Sequence, residues 1–205
     1  MSQPAFNRKF KQVTVLLLAG GRGSRMQGAD KGLLQINGQT YAAYIGKRFA
    51  QAGCQILVSA NRNINIYSAM GWPCITDKSD KYAGPLAGLI AASGHIETDY
   101  CWLCPCDTPL IALQVLEKLL NAANFDQKAV LVPRCGQQTQ FGHALLPTEL
   151  MQDIQLSASP KANSLRRWLY GHPLREVDCK QFETTFLNVN SPTEISLLEL
   201  SAHCQ

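Results

Sequence analysis

Glycines, basic side chains and one acid crowd together in A-G-G-R-G-S-R-M-Q-G-A-D-K-G, residues 19–32, directly behind the apolar run V-T-V-L-L-L that starts at Val13. A buried strand that empties into such a loop is a way to build a pocket for phosphates. Gly20, Gly21 and Gly23 have no Cβ, so the backbone can turn sharply and bring N–H groups close to an anion, while Arg22, Arg25 and Lys31 supply positive charge. Two familiar phosphate loops do not fit. A Walker A loop requires Gly before and Ser or Thr after its lysine, whereas Lys31 lies between Asp30 and Gly32. A dinucleotide fingerprint begun at Gly21 and Gly23 has Met26 at its third position, and no acid ends the following strand, I-L-V-S, to hold a ribose.

A second set of candidates lies at the ends of later apolar runs. Asp107 follows Y-C-W-L-C-P-C between Pro105 and Pro109. In a parallel sheet it would reach the same edge as the glycine loop, where a carboxylate can hold a hard divalent cation together with phosphate oxygens and water; alternatively, D-T-P is a helix start. Asp77 ends the short run C-I-T and serves either as a turn residue or as an acceptor for the N1–H and amino group of guanine. Asn61, in A-N-R, either binds ligand or shapes the turn. Asn188 and Asn190 in N-V-N share one face of an extended segment, so their amides can read an acceptor or orient a metal's surroundings, or form a turn before Ser191.

These side chains need a scaffold, and segments of strand and helix character alternate to provide it. Tyr41, Tyr44, Ile45, Arg48 and Phe49 recur at helical spacing before Gly53, and residues 55–60 form the next strand. Residues 74–76 are a short strand, G-P-L-A-G-L-I-A-A-S-G starts a helix with Pro85 in its first turn, and residues 100–104 are a strand. Leu113, Leu116, Leu119 and Leu120 mark a helix, and residues 129–132 a strand. The alternation predicts a mostly parallel sheet with helices on both faces and a ligand site beyond the carboxyl ends of its strands. Beyond Pro133 the order changes. Residues 141–146 are expected as a strand, 148–154 as a short helix, and A-N-S-L-R-R-W-L-Y as an amphipathic helix whose Arg166 and Arg167 form a solvated face. Ser191, Pro192 and Glu194 form a capping box for a C-terminal helix reaching near Ala202. Residues 1–205 are expected to form a single domain, with the part to about residue 133 binding nucleotide and the remainder serving the acceptor.

Composition excludes several classes. The 205 residues are 46% hydrophobic, enough for a full core, and the net charge of +4 is scattered rather than striped with aromatics as a nucleic-acid face requires. The apolar runs are too short to span a bilayer and the start lacks the apolar core of a signal peptide, so a cytoplasmic protein with no membrane contact is expected. The chain has eight cysteines, of which Cys101, Cys104 and Cys106 cluster. Strand alternation sends Cys101 and Cys104 to opposite faces, so buried free thiols in a reducing compartment are expected rather than a zinc site.

The pattern L-A-G-G, R-M, D-K-G-L, A-N-R, G-P-L-A-G, C-P-C-D-T-P and F-L-N-V-N-S-P-T-E, met in this order along nearly the whole chain, resembles the molybdenum cofactor guanylyltransferase family. The resemblance implies a Rossmann-like nucleotidyltransferase fold and transfer of GMP from GTP to molybdopterin with Mg2+, releasing pyrophosphate; the alternatives are a nucleotidyltransferase for another phosphorylated acceptor and a non-catalytic GTP-binding maturation partner. It implies contacts to GTP from Leu18, Ala19, Gly20, Gly21, Lys31, Ser59, Asp77 and Asp107, with Asp107 holding the metal. Arg25, Lys31 and Asp107 carry the catalytic charges, and Asn188 and Asn190 serve the acceptor. Cofactor-delivery proteins and molybdoenzyme chaperones are the expected transient partners. The chain departs from the family pattern in three places. Gln27 replaces a glycine, Ser59 stands where an asparagine is usual, and T-Q-F-G-H-A lacks the usual H-P pair, leaving His143 as a strand residue or a part of the acceptor side.

Overall fold

The computed structural model describes residues 6–19, 30–77, 84–123, 128–152, 154 and 164–189. Gly20, Gly21, Arg22, Gly23, Arg25, Asn190 and the C-terminal capping box lie outside the described residues.

A short helix α1 (Phe6–Phe10) leads into β1 (Val13–Leu18). A two-stranded hairpin, β2 (Gln35–Ile36) and β3 (Gln39–Thr40), precedes α2 (Tyr41–Ala52), β4 (Gln55–Ser59), α3 (Ile64–Ser68) and β5 (Cys74–Ile75). Then come α4 (Pro85–Ala92), β6 (Tyr100–Pro105), α5 (Leu113–Ala122), β7 (Val130–Cys135), β8 (Gln138–Thr139), β9 (Leu145–Pro147), α6 (Leu165–Leu169) and β10 (Leu174–Asp178). The main sheet has the order β10-β7-β9-β6-β1-β4-β5, with β8 paired to β7. Pairings β6–β1, β1–β4, β4–β5 and β7–β10 are parallel, and β9 runs antiparallel to both β6 and β7. The chain winds outward from β1 through β4 to β5, then crosses back to place β6 on the other side of β1. This makes the β1–β6 junction the topological switch point, where open α/β sheets form their binding crevice.

Alternation along the strands splits the core in two. Val13, Val15 and Leu17 of β1 face one way and pack with Ala42, Ile45 and Phe49 of α2 and Leu116 and Leu119 of α5. Leu16 faces the other way with Leu86 and Leu89 of α4 and Trp168 and Leu169 of α6. The cysteines of β6 follow the same rule: Cys104 lies in the first cluster and Cys101 in the second. Burial raises both thiols above their ordinary range.

Two expected elements differ. Residues 141–146 are not one strand. Phe141–His143 form a 3-10 turn, with the His143 N–H donating to Gln140 O at 2.9 Å, and pairing begins only at Leu145. The turn lets Gly142 sit against Pro105, where a Cβ would come within 3.1 Å of Cγ, and turns His143 into the core at 3% exposure. Residues 148–151 form a 3-10 turn in place of the first part of an α-helix.

Candidate active site

The register of the sheet aligns the predicted residues on one edge. Leu18 pairs with Pro105 on one side and Ser59 on the other, and Ser59 with Ile75, so β1, β6, β4 and β5 all end along one row. The backbone stitches the row beyond the strands: Ala19 N–H donates to Ser59 O at 2.9 Å and Cys106 N–H to Leu18 O at 3.3 Å. Asp107, two residues past the end of β6, lies beside the exit of β1, where the chain enters the glycine-rich segment.

Lys31 comes back to this point from the far side of that segment. Its Nζ lies 3.1 Å from Asp107 Oδ2, in an ion pair whose side chains are 35% and 24% exposed. The residues around it are held tightly. Tyr67 Oη donates to Asp30 Oδ1 at 2.6 Å, and Asn63 Nδ2 to Asp30 Oδ2 at 2.9 Å. At Gly32 a Cβ would lie 2.4 Å from Tyr67 Oη, so this close approach requires glycine. Tyr67 and Asn63 carry no signal in the sequence because their connection to Asp30 exists only in the folded chain; I-N-I-Y-S carries no motif. Arg48, on the helical stripe of α2, also reaches this region. Its Nη1 donates to Pro109 O at 3.2 Å, tying α2 to the segment that follows Asp107.

Asp77 is partly exposed on the rim, and its N–H donates to Asn61 Oδ1 at 3.0 Å. Asn61 thereby shapes the edge that presents Asp77. Ser59 is 3% exposed, with its Oγ directed toward α4: a Cβ at Gly88 would approach it to 2.8 Å and Leu18 Cδ2 to 3.1 Å. Asn188 reaches the site through its neighbour. Val189 N–H donates to Asp107 O at 2.8 Å, and the buried Val189 side chain packs with Ile36 and Tyr41. The structure thus brings Leu18, Ala19, Lys31, Ser59, Asp77 and Asp107 to one sheet edge and delivers the exposed Asn188 beside them.

The crevice's described side chains offer charge and hydrogen bonds rather than a nucleophile. Cys106 is 2% exposed and its thiol is pushed far above its ordinary range, chiefly by burial. His143 is buried, and desolvation lowers its pKa to about 3, so the ring is neutral. Thr108 Oγ1 donates to Pro105 O at 3.0 Å, which leaves it to accept from His143 Nε2, also at 3.0 Å. Trp102 Nε1 donates to His143 O at 3.0 Å, and the Phe186 ring meets the imidazole edge-on at 5.0 Å. His143 is therefore a bolt behind the β6 exit, which holds the turn containing Asp107 in place.

The chain is similar to a known family of proteins. Residues 15–177 match the MobA-like NTP transferase domain. The chain is 32% identical over 193 residues to the molybdenum cofactor guanylyltransferase of Shewanella loihica, covering 94% of this chain and 98% of that protein. It is 31% identical to the enzyme of the same name from Cupriavidus metallidurans, covering 91% and 94% respectively. Among solved structures, molybdopterin-guanine dinucleotide biosynthesis protein A from Archaeoglobus fulgidus shares the fold with a TM-score of 0.73 at 17% identity, covering 94% of this chain and 100% of that one.

Proposed function

Because the chain belongs to the MobA-like NTP transferase family, with molybdenum cofactor guanylyltransferases as relatives along almost its full length, we propose that it transfers GMP from GTP to molybdopterin, forming the guanine dinucleotide cofactor and pyrophosphate. The observation that carries this reading is the Lys31–Asp107 pair at the β1–β6 switch point: an ammonium and a carboxylate where a triphosphate and its cation would meet.

In the transfer, an oxygen of the acceptor's phosphate bonds to the α-phosphorus of GTP, and the bridge to the β-phosphate breaks with its electron pair leaving on pyrophosphate. The attacking oxygen is already anionic, so no side chain has to remove a proton. Positioning and charge neutralisation do the work. Lys31 gives up Asp107 for the phosphate oxygens, with Arg25 and the N–H groups of Gly20 and Gly21 assigned to the same anion. Leu18 and Ala19 floor the pocket beside Ser59. Asp77 offers its carboxylate to the N1–H and amino group of guanine.

Asp107 also fits a divalent cation. Its partly exposed carboxylate already has a cation, the Lys31 ammonium, against it; among the described residues no group of three or more acids, histidines or cysteines could hold a metal ion, so phosphate oxygens and water would have to complete the shell. One carboxylate plus phosphate oxygens and water is a usual magnesium environment. Mg2+ held there would neutralise phosphate charge as pyrophosphate departs.

The segment around Asn188, with Asn190 beyond it, serves the acceptor, and the chain to about residue 133 serves the nucleotide. A cytoplasmic site of action is supported by the free cysteines among the described residues, and among these no helix is long and apolar enough to cross a membrane. Delivery proteins and molybdoenzyme chaperones are the proposed transient contacts.

The test is direct. Protein is incubated with magnesium, molybdopterin and each of GTP, ATP, CTP and UTP, and the products are read by mass. Guanylylated pterin with one equivalent of pyrophosphate, formed from GTP alone or in large excess, is expected. A cytidylylated product, or GTP binding with no product, would overturn the assignment.

A further inference from the structure

Lys31 lies on a flexible stem, yet the backbone on both sides of it is fixed by one aromatic ring. The Tyr67 phenol, 0% exposed, reaches Asp30 Oδ1 at 2.6 Å, within the range of about 2.5–2.7 Å typical of a charge-assisted O–H···O⁻ bond. Gly32 packs on the same ring so closely that a Cβ would lie 3.3 Å from Cζ. The second carboxylate oxygen of Asp30 accepts from Asn63, whose own backbone is left-handed at φ 52°, a conformation that asparagine adopts more readily than most residues. Burial, and then the bond to Asp30, push the Tyr67 phenol far above its ordinary range, so it remains a donor. With residues 30 and 32 both clasped to α3, the side chain between them extends across the crevice to Asp107.

We propose that Tyr67 and Asn63 are positioning residues of the phosphate site: by gripping the Asp30 carboxylate they fix the Asp30–Gly32 turn and so aim the Lys31 ammonium at the triphosphate. This rests on reading the crevice as a triphosphate pocket. A turn already fixed leaves only the torsions of the lysine stem to be ordered on binding, and preorganisation of this kind appears as affinity. Tyr67 is buried and Asn63 gives its amide to Asp30, so their effect on a ligand would pass through Lys31.

That route is what the experiment reads. Tyr67→Phe keeps the ring and removes the donor. Calorimetry with magnesium and GTP, and separately with magnesium and inorganic triphosphate, is run on the wild type, Tyr67→Phe, Lys31→Met and the double variant. Tyr67→Phe should weaken both ligands by roughly three- to tenfold, and in the Lys31→Met background it should add almost nothing, the non-additivity expected of residues acting through one group. Asn63→Gly, which removes the amide at an exposed position and keeps the left-handed backbone at φ 52° unstrained, should behave the same way and stands in if Tyr67→Phe does not fold. Equal losses with and without Lys31, no loss in a folded variant, or no triphosphate binding by the wild type would overturn the proposal. A wild type that binds triphosphate as tightly as GTP would sink the proposed guanine contacts alone, since the cycle would still report on the clamp.

Discussion

Lys31 and Asp107 neutralise each other across a partly exposed gap, a pair worth only about 0–1 kcal/mol to the fold, so changes to either should be felt by the ligand first. Lys31→Ala is expected to weaken GTP binding by about ten- to a hundredfold, the loss of a charge-assisted bond of roughly 1.5–3 kcal/mol, with thermal melting nearly unchanged. Unaltered affinity in a normally melting variant would show that the ammonium does not reach the nucleotide. Asp107→Asn keeps the shape and loses the charge; turnover should nearly vanish at ordinary magnesium concentrations, and near-normal product formation would leave Asp107 a structural residue of the segment between β6 and α5. Asn188→Ala should lower guanylyl transfer to molybdopterin more than it lowers GTP binding, both measured on one sample. Equal falls in the two would place Asn188 in the nucleotide pocket. Lys31 and Asp107 were legible in the sequence because charged residues stand out in the loops that follow apolar strands, and Asn188 because of the N-V-N spacing, although it follows a 3-10 helix, Lys180–Phe186, rather than a strand. Tyr67 and Asn63 were not, since a tyrosine that bonds an aspartate across 37 positions of chain looks like any core aromatic until the fold is known.

Elements were legible where one periodicity dominated. The β1, β4 and β6 strands are apolar runs buried on both faces, and α2 and α5 carry clear helical stripes. The β2–β3 hairpin went unread although its turn is Asn37-Gly38, both with positive φ of 50° and 73°, because two-residue strands give too little alternation to flag. Strand β10, L-R-E-V-D, hides for a related reason: it pairs only with β7, and its side chains are mostly exposed or half-buried. Spacing of small residues in α4 carries a packing requirement that the motif alone did not explain. Gly88 lets the helix lie on Ser59 and Leu18, so Gly88→Ala sets a helix-propensity gain of about 1 kcal/mol against a crowding cost of about 1–3 kcal/mol. Melting should fall, and Ser59→Ala, which removes the Oγ 2.8 Å away, should recover part of that loss. If the two changes add without coupling in urea or thermal melts, α4 has room to move and Ser59 does not set its height.

At the scale of the molecule, one sheet joins the strands of both halves of the chain, and β9, running against its neighbours between β6 and β7, is where the halves meet. The 3-10 turn just before β9 inserts His143 between Trp102, Thr108 and Phe186, so the junction contains a titratable ring that is neutral only because it is dry. The sign of its pH effect follows. Above the ordinary value of 6.5 the ring is neutral in both folded and unfolded chains and has no influence; below it the unfolded chain takes up a proton that the folded one refuses until about pH 3. Stability should therefore fall as pH drops from 6.5 toward 3, by up to about 1.4 kcal/mol per pH unit from this group. His143→Gln keeps an N–H donor for Thr108 and cannot titrate, while every carboxylate remains in both proteins and cancels from the comparison. Urea unfolding of the two proteins at pH 7.5, 6.5, 5.5 and 4.5 is the measurement. The variant should be the less stable at pH 7.5, where it packs less well, and the gap should close or reverse as the buffer is acidified. A constant gap across the series would mean that water reaches the imidazole, and that the turn behind Asp107 is held by something other than a neutral, buried histidine.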